Sequence, residues 1–161
     1  MTYIVVPAPG GSSGPITPDD ITPIVDGTTP GAGQLFEVVY ADNPTLTNTD
    51  VGATGDWGFA VTIALDPGRW EIQGVARLDE AGAVLTDSVA AAISDDPAGA
   101  AIQPYEFQQT SPFLVGQSIY LLTPIVRFSI AANTTYYLNT RFFYSSGAPE
   151  HAGAIWAKRY S

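Results

Sequence analysis

The sequence predicts an all-β protein: a jelly-roll-like antiparallel β-sandwich of about eight strands, preceded by an extended Pro/Gly-rich N-terminal arm. Three observations lead there. Phe59, Val61, Ile63 and Leu65 alternate with smaller or polar residues, and Trp70, Ile72, Gly74, Ala76 and Leu78 alternate with Arg69, Glu71, Gln73 and Arg77. A period of two marks strands with one wet and one buried face. No stretch shows the 3.6-residue period of an amphipathic helix. Turn residues punctuate the apolar runs, and two intervals between runs are longer than hairpin turns, which favours jelly-roll or Greek-key crossings over an up-and-down meander.

Residues 1–33 form the arm and residues 34–161 the sandwich domain. Twelve of the first 33 residues are Gly or Pro, and Ile16-Thr17-Pro18 recurs as Ile21-Thr22-Pro23. Proline removes backbone donors and biases its predecessor toward extended geometry, which excludes a helix or a central strand. Tyr3, Ile4, Val5 and Val6 are long enough to add one short strand to a neighbour's sheet edge. Ile16, Ile21, Ile24 and Val25 supply further apolar contacts, so all eight residues are expected to dock the arm on a partner.

Within the domain, Gln34–Ala41 reads as the entry strand and 42–58 as a polar loop. Asp66-Pro67-Gly68 is turn chemistry, which makes Phe59–Leu78 a long antiparallel hairpin carrying half of the core. Gly82 closes a turn before a short strand at 83–85. The run Ser88–Ser94 fits a helix or a buried strand, with β-branched flanks and β neighbours favouring the strand, and 95–112 is a second long loop containing Tyr105 and Phe107. Two further strands, Gly116–Leu122 and Ile125–Ala131, flank Thr123-Pro124, where proline implies an edge, a bulge or a strand start. Asn133-Thr134 turns the chain into Thr135–Tyr144, and Ala152–Tyr160 is the last strand.

Composition narrows the function classes. The formal net charge is −10, and no Lys or Arg precedes Arg69. Such a chain is repelled by nucleic acid and by anionic membrane surfaces, so neither is expected as a partner. With no Cys there is neither a disulfide framework nor a thiolate metal site. No apolar run approaches the length of a spanning helix, and Met1–Pro7 lacks the basic n-region of a signal peptide. The expectation is a protein made in the cytoplasm of its host and used without export by its own signal.

Two groups of motifs resemble a recurring pattern in small phage and prophage virion proteins. One is Gly33-Gln34-Leu35-Phe36-Glu37-Val38 followed by Leu65-Asp66-Pro67-Gly68-Arg69-Trp70-Glu71-Ile72-Gln73-Gly74. It is similar to a G-x-x-G-E entry strand and an L-x-x-G-x-W-x-V-x-G hairpin, with Phe36 where the pattern has its second Gly. The other, Arg127-Phe128-Ser129-Ile130, Thr135-Tyr136-Tyr137-Leu138 and Ile155-Trp156-Ala157-Lys158-Arg159, is similar to an R-L-S-L…T-x-Y-L…I-x-A-R-R ending. The resemblance spans residues 33–160 except the two long loops, and it rests on fold-keeping residues. It implies a jelly-roll-like phage structural protein, trimeric, serving as capsid cement (decoration) on the virion surface or as a fibre tip. A cement protein would contact the major capsid protein or another virion protein.

Crowding of Tyr136, Tyr137, Phe142, Phe143, Tyr144, Trp156 and Tyr160 on both faces of the last two strands predicts an oligomer interface, because one of those faces must find a partner. The alternative is a long loop folded over that face.

Chemistry is thinly signalled. His151 has Ser145, Ser146 and Glu150 near in sequence, but there is no nucleophile elbow, and a solvent-exposed turn histidine is expected. Glu37, Glu71, Glu106 and Glu150 are scattered, which argues against an opposed glycosidase pair. Asp19-Asp20 and Asp95-Asp96 read as solvated acidic pairs more readily than as calcium ligands. No catalytic residue, metal or cofactor is therefore expected. Trp57, Tyr105 and Phe107 could stack on sugars in a receptor-binding module or plug the end of the sandwich. A carbohydrate-active enzyme is the remaining alternative.

Overall fold

The structure, a computed structural model, describes residues 37–99, 106–110 and 118–160. The expectations placed on the arm, including Tyr3, Ile4, Val5, Val6, Ile16, Ile21, Ile24 and Val25, and on Asp19-Asp20 and Tyr105 lie outside the described residues. Nine strands are present there: β1 (Val38–Thr47), β2 (Trp57–Leu65), β3 (Gly68–Asp79), β4 (Leu85–Ser94), β5 (Glu106–Thr110), β6 (Ile119–Leu122), β7 (Val126–Ile130), β8 (Thr134–Tyr144) and β9 (Glu150–Arg159).

They form two antiparallel sheets. In the first the order is β1-β9-β3-β6, with β7 also paired to β3; in the second it is β2-β8-β4-β5. Because β6 and β7 share the β3 edge end to end, they act as one strand interrupted at 123–125. Each sheet then holds four strands, and successive strands alternate between sheets except at β4 and β5, which are neighbours in the second sheet, in the order of a jelly roll. The expected fold class is the observed one.

Strand pairing departs from the expected hairpin. β2 and β3 lie in different sheets, and Asp66-Pro67-Gly68 carries the chain across the sandwich. The crossing is pinned at one end of the core. Trp70 Nε1 donates to the Asp66 carbonyl at 2.9 Å, and Arg159 donates to the Pro67 carbonyl at 2.6 Å. Alternation establishes which face of a strand is buried, but two strands facing each other across a core satisfy it as well as two paired strands do.

Other boundaries moved for local reasons. β1 runs on to Thr47, since Asp42 and Asn43 continue the pairing with β9 before the register shifts. A bulge between Phe59 and Val61 turns Phe59 to the outer side, where its ring meets Tyr137 edge-on at 5.2 Å. The second long loop contains β5, a ninth strand, paired to β4 and mostly exposed.

The core lies between the sheets. Trp70, Ile72, Leu78, Ile93, Leu121, Leu138, Phe142 and Ile155 are fully buried there. Leu138 from β8 enters a depression where Gly74 of β3 and Gly153 of β9 present no side chain. A Cβ on Gly153 would lie 2.6 Å from Leu138 Cδ2, and one on Gly74 would lie 2.9 Å from Cδ1. Leucine here packs against two glycines on adjacent strands.

Candidate functional surface

The groups that could do chemistry are occupied structurally. His151 is fully buried, a correction to the exposed turn position expected for it. It sits on β9 opposite Thr47 and Leu78, so strand alternation carries it inward. Its Nε2 lies 2.9 Å from the Thr49 carbonyl oxygen, which can only accept, so Nε2 holds the proton. Nδ1 therefore accepts from the Thr140 hydroxyl at 2.7 Å. Burial lowers the imidazole pKa, against the opposing pull of the Thr49 carbonyl and Asp50, and the ring is a neutral cross-link between β8, β9 and the β1–β2 connection.

Three of the four scattered glutamates are paired with arginines. Glu37 is buried with Arg159 at 3.4 Å, Glu71 meets Arg127 at 2.7 Å, and Glu106 meets Arg141 at 2.9 Å. Asp79 accepts from the Ser118 hydroxyl at 2.7 Å and from the Ala81 amide at 3.0 Å. Those hydrogen bonds, with Arg77 beside it, hold its carboxyl below the usual value. Asp96 likewise accepts from Ala98 N within its turn. Among the described residues no group of three His, Cys, Asp or Glu side chains could hold a metal ion.

What remains are the two outer faces, and they differ. On the second sheet Trp57, Phe59, Tyr137, Asn139, Arg141 and Phe143 point outward by register with one another. Asn139 is nevertheless fully buried, because its amide donates to the Asp96 and Pro97 carbonyls of the β4–β5 connection at 3.2 and 2.9 Å. Arg141 lies 4.5 Å over the Trp57 ring and 5.4 Å from the Phe143 ring while it holds Glu106. Asp96 and Pro97, just after β4, lie over the part of this face around Asn139. That is the loop-covered arrangement weighed against an interface for the β8 row.

The outer face of the first sheet is open. Val38, Tyr40, Ala154, Trp156, Val75, Tyr120 and Leu122 share it by register. Tyr40 is 60%, Tyr120 64%, Leu122 53% and Val38 44% exposed. Between the two tyrosines runs a shallow groove floored by Val75, Ala152 and Ala154 and rimmed by Asp42, Pro44 and Arg77. Ile125, in the link between β6 and β7, extends the apolar surface. That link is itself fixed: Gly74 N donates to the buried Thr123 hydroxyl at 2.9 Å, and Gln73 donates to the Thr123 carbonyl at 3.0 Å.

The predicted interface residues are therefore divided. Tyr136 and Phe142 are core residues, packed inward by the alternation of β8, and are not available to a partner. Burial, with Asp95 nearby, pushes the Tyr136 phenol up to about 12. Tyr137 and Phe143 are half-buried on the covered face, and Tyr144 is packed partly against the core. Trp156 is half-buried on the open face, and Tyr160 is exposed just beyond β9. Sequence reasoning missed Val38, Tyr40, Tyr120 and Leu122. Their signal was an apolar residue at an outward position of a strand whose inward positions were already apolar. Trp57 and Phe107, expected in loops, begin β2 and lie within β5 respectively, and Phe107 is 47% exposed.

The strand order, with no helix among the described residues, defines a jelly-roll β-sandwich with one covered and one open outer face. Comparison with solved structures adds two likenesses. One is to the VP2 subviral particle of infectious bursal disease virus, at 9% identity and a TM-score of 0.48, over 78% of this chain and 33% of that one. This chain thus spans about a third of the VP2 chain's length. The other is to the virus-like particle of the extra small virus of the giant freshwater prawn Macrobrachium rosenbergii, at 11% identity and a TM-score of 0.35, over 100% of this chain and 96% of that one. No family model and no curated protein sequence matches the chain.

Proposed function

We propose that this chain is a bacteriophage virion structural protein, a capsid cement (decoration) protein that acts as a homotrimer. Its arm, residues 1–33, lies over neighbouring copies of the major capsid protein or another virion protein. The observation that carries the reading is a jelly roll whose second sheet is covered by its own chain while its first sheet presents an open apolar face. Jelly rolls recur in viral capsids, although a fold alone does not assign a function. An exposed contiguous apolar surface on a sheet is the mark of an interaction site, and Trp156 and Tyr160 of the predicted interface lie on or beside it. The motifs at Leu65–Gly74 and at Arg127–Arg159 that resemble phage virion proteins support the same reading. The mechanism is mechanical. Each trimer adds buried area across capsomer boundaries at about 25 cal/mol per Å² of apolar surface, and many weak contacts sum through multivalency.

The test is co-sedimentation of the full-length protein with emptied heads and with isolated tails of its phage, beside a variant with Tyr3, Ile4, Val5 and Val6 all replaced by Ser. Saturable binding to heads that the variant loses is expected. Binding only to tails or to host cells would replace the cement reading with a receptor-binding module at a fibre tip, and attention would move to the exposed Phe107. Turnover of a host polysaccharide would instead make the chain a carbohydrate-active enzyme.

A further inference from the structure

We propose that in the free protein, before the arm and this face engage a virion partner, the open outer face of the first sheet seats the chain's own arm, with the segment from Ile16 to Val25 lying across the groove between Tyr40 and Tyr120. The chain N-terminal to the described residues meets the sandwich at Glu37, which is buried and tied to Arg159, and the next residue, Val38, already points onto this face. The arm is thus tethered at the rim of the surface it would cover. Twelve peptide units separate Val25 from Glu37, enough for about 40 Å when extended, whereas four strands at about 4.8 Å spacing span about 14 Å.

Charge complements this placement. The arm carries Asp19, Asp20 and Asp26 and no basic residue. Of the six Lys and Arg residues in the chain, four (Arg69, Arg77, Arg127 and Lys158) point to this one face by register, as do Asp42, Glu71, Asp79 and Glu150; Arg77 is paired with Asp79, and the basic excess lies at the end where Arg69, Arg127 and Lys158 meet Glu71 alone. Arg69 lies opposite Ser129, and Lys158 opposite Val38, at the end of the sheet where the arm enters. The chemistry of the segment also fits. Pro18 and Pro23 favour extended backbone that presents Ile16, Ile21, Ile24 and Val25 without requiring ladder hydrogen bonds, as proline-rich ligands do on aromatic-lined grooves. A tether this short gives an effective concentration of order millimolar, so the same chain outcompetes a second copy in dilute solution. Seating the middle of the arm leaves Tyr3–Val6 projecting for a partner.

The absence of native cysteine makes the test direct. A single thiol is introduced by Leu122→Cys, at an exposed position on this face, and its labelling rate by a thiol reagent is measured in the full chain. The same rate is then measured with Ile16, Ile21, Ile24 and Val25 all replaced by Ser. Labelling about tenfold faster in the Ser-arm variant is expected, in line with a tethered ligand at effective millimolar concentration. The protection should be unchanged by tenfold dilution. A thiol from Ala64→Cys, exposed on the other sheet, should react at one rate with either arm. Equal rates for Leu122→Cys with the two arms would overturn the proposal, as would protection lost on dilution, which would assign the groove to a second copy. The measurement uses free protein, so its failure leaves the virion reading to the sedimentation test.

Discussion

The contact of Leu138 with Gly74 and Gly153 offers a quantitative test of how the two sheets meet. A methyl group added by Gly153→Ala would lie 2.6 Å from Leu138 Cδ2 and 2.8 Å from the Val75 carbonyl oxygen. Ordinary carbon contacts begin at about 3.5 Å, so an overlap of almost 1 Å must be relieved. Leu138 is fully enclosed, and the Val75 oxygen belongs to the backbone of a central strand, so neither yields without moving a sheet. Overpacking of this kind costs about 1–3 kcal/mol. Leu138→Ala alone should cost about 2–5 kcal/mol through lost burial and a residual cavity. In the double variant the new methyl points into the space the leucine vacated, so the combined loss should fall short of the sum by at least about 1 kcal/mol. Urea unfolding followed by tryptophan fluorescence measures all three, since Trp70 is fully buried in the same core. Additivity within about 0.3 kcal/mol would refute the claim that these two residues set the spacing of the layers.

Three further outcomes follow from the buried polar groups. His151 has its pKa lowered in the folded chain, so the unfolded chain binds more protons below the ordinary value of 6.5; stability should be complete above that pH and decline as pH falls toward the folded pKa. His151→Gln should remove that part of the pH dependence in urea midpoints taken between pH 7.5 and 5.5, and an unchanged slope would exclude the ring as its source. Ser118→Ala should move the Asp79 titration upward toward 3.8 by removing its main hydrogen bond, read by carboxyl NMR shifts; in the native chain this carboxylate contributes stability above that value and loses it as pH falls. Arg141→Lys keeps the charge beside Glu106 but loses the flat guanidinium over Trp57, and should lower stability by about 1 kcal/mol in thermal unfolding.

The fold class was readable because period-two burial and turn residues are local properties. The alternation of Trp70–Leu78 survives in the structure as the inward row of β3. Pairing was not readable in the same way. Nothing local distinguishes β2 paired with β3 from β2 facing β3, and the choice is made by β8 and β9, more than 50 residues away, which insert beside each of them. His151 illustrates the same limit. Composition assigns a lone histidine after a turn to solvent, whereas its position one strand register from Leu78 assigns it to the interior. The open face is less legible than β8, whose five aromatic residues stand in one run. Tyr40 and Tyr120 lie in short or weakly patterned runs, and the groove between them, floored by Val75, Ala152 and Ala154, exists only once β9 and β3 lie side by side between their strands.

That insertion has a consequence for how the chain comes to be folded. β9 is the last of the described strands in chain order, yet it lies between β1 and β3, so the first sheet cannot close until Glu150–Arg159 has left the ribosome. β1 waits unpaired through the synthesis of more than 100 residues, and closure then requires contacts of very high sequence separation, which makes folding slow. A nascent chain interrupted before residue 150 would lack the centre of its sheet rather than an edge. Prematurely terminated copies would therefore be recognisable to proteases as unfolded.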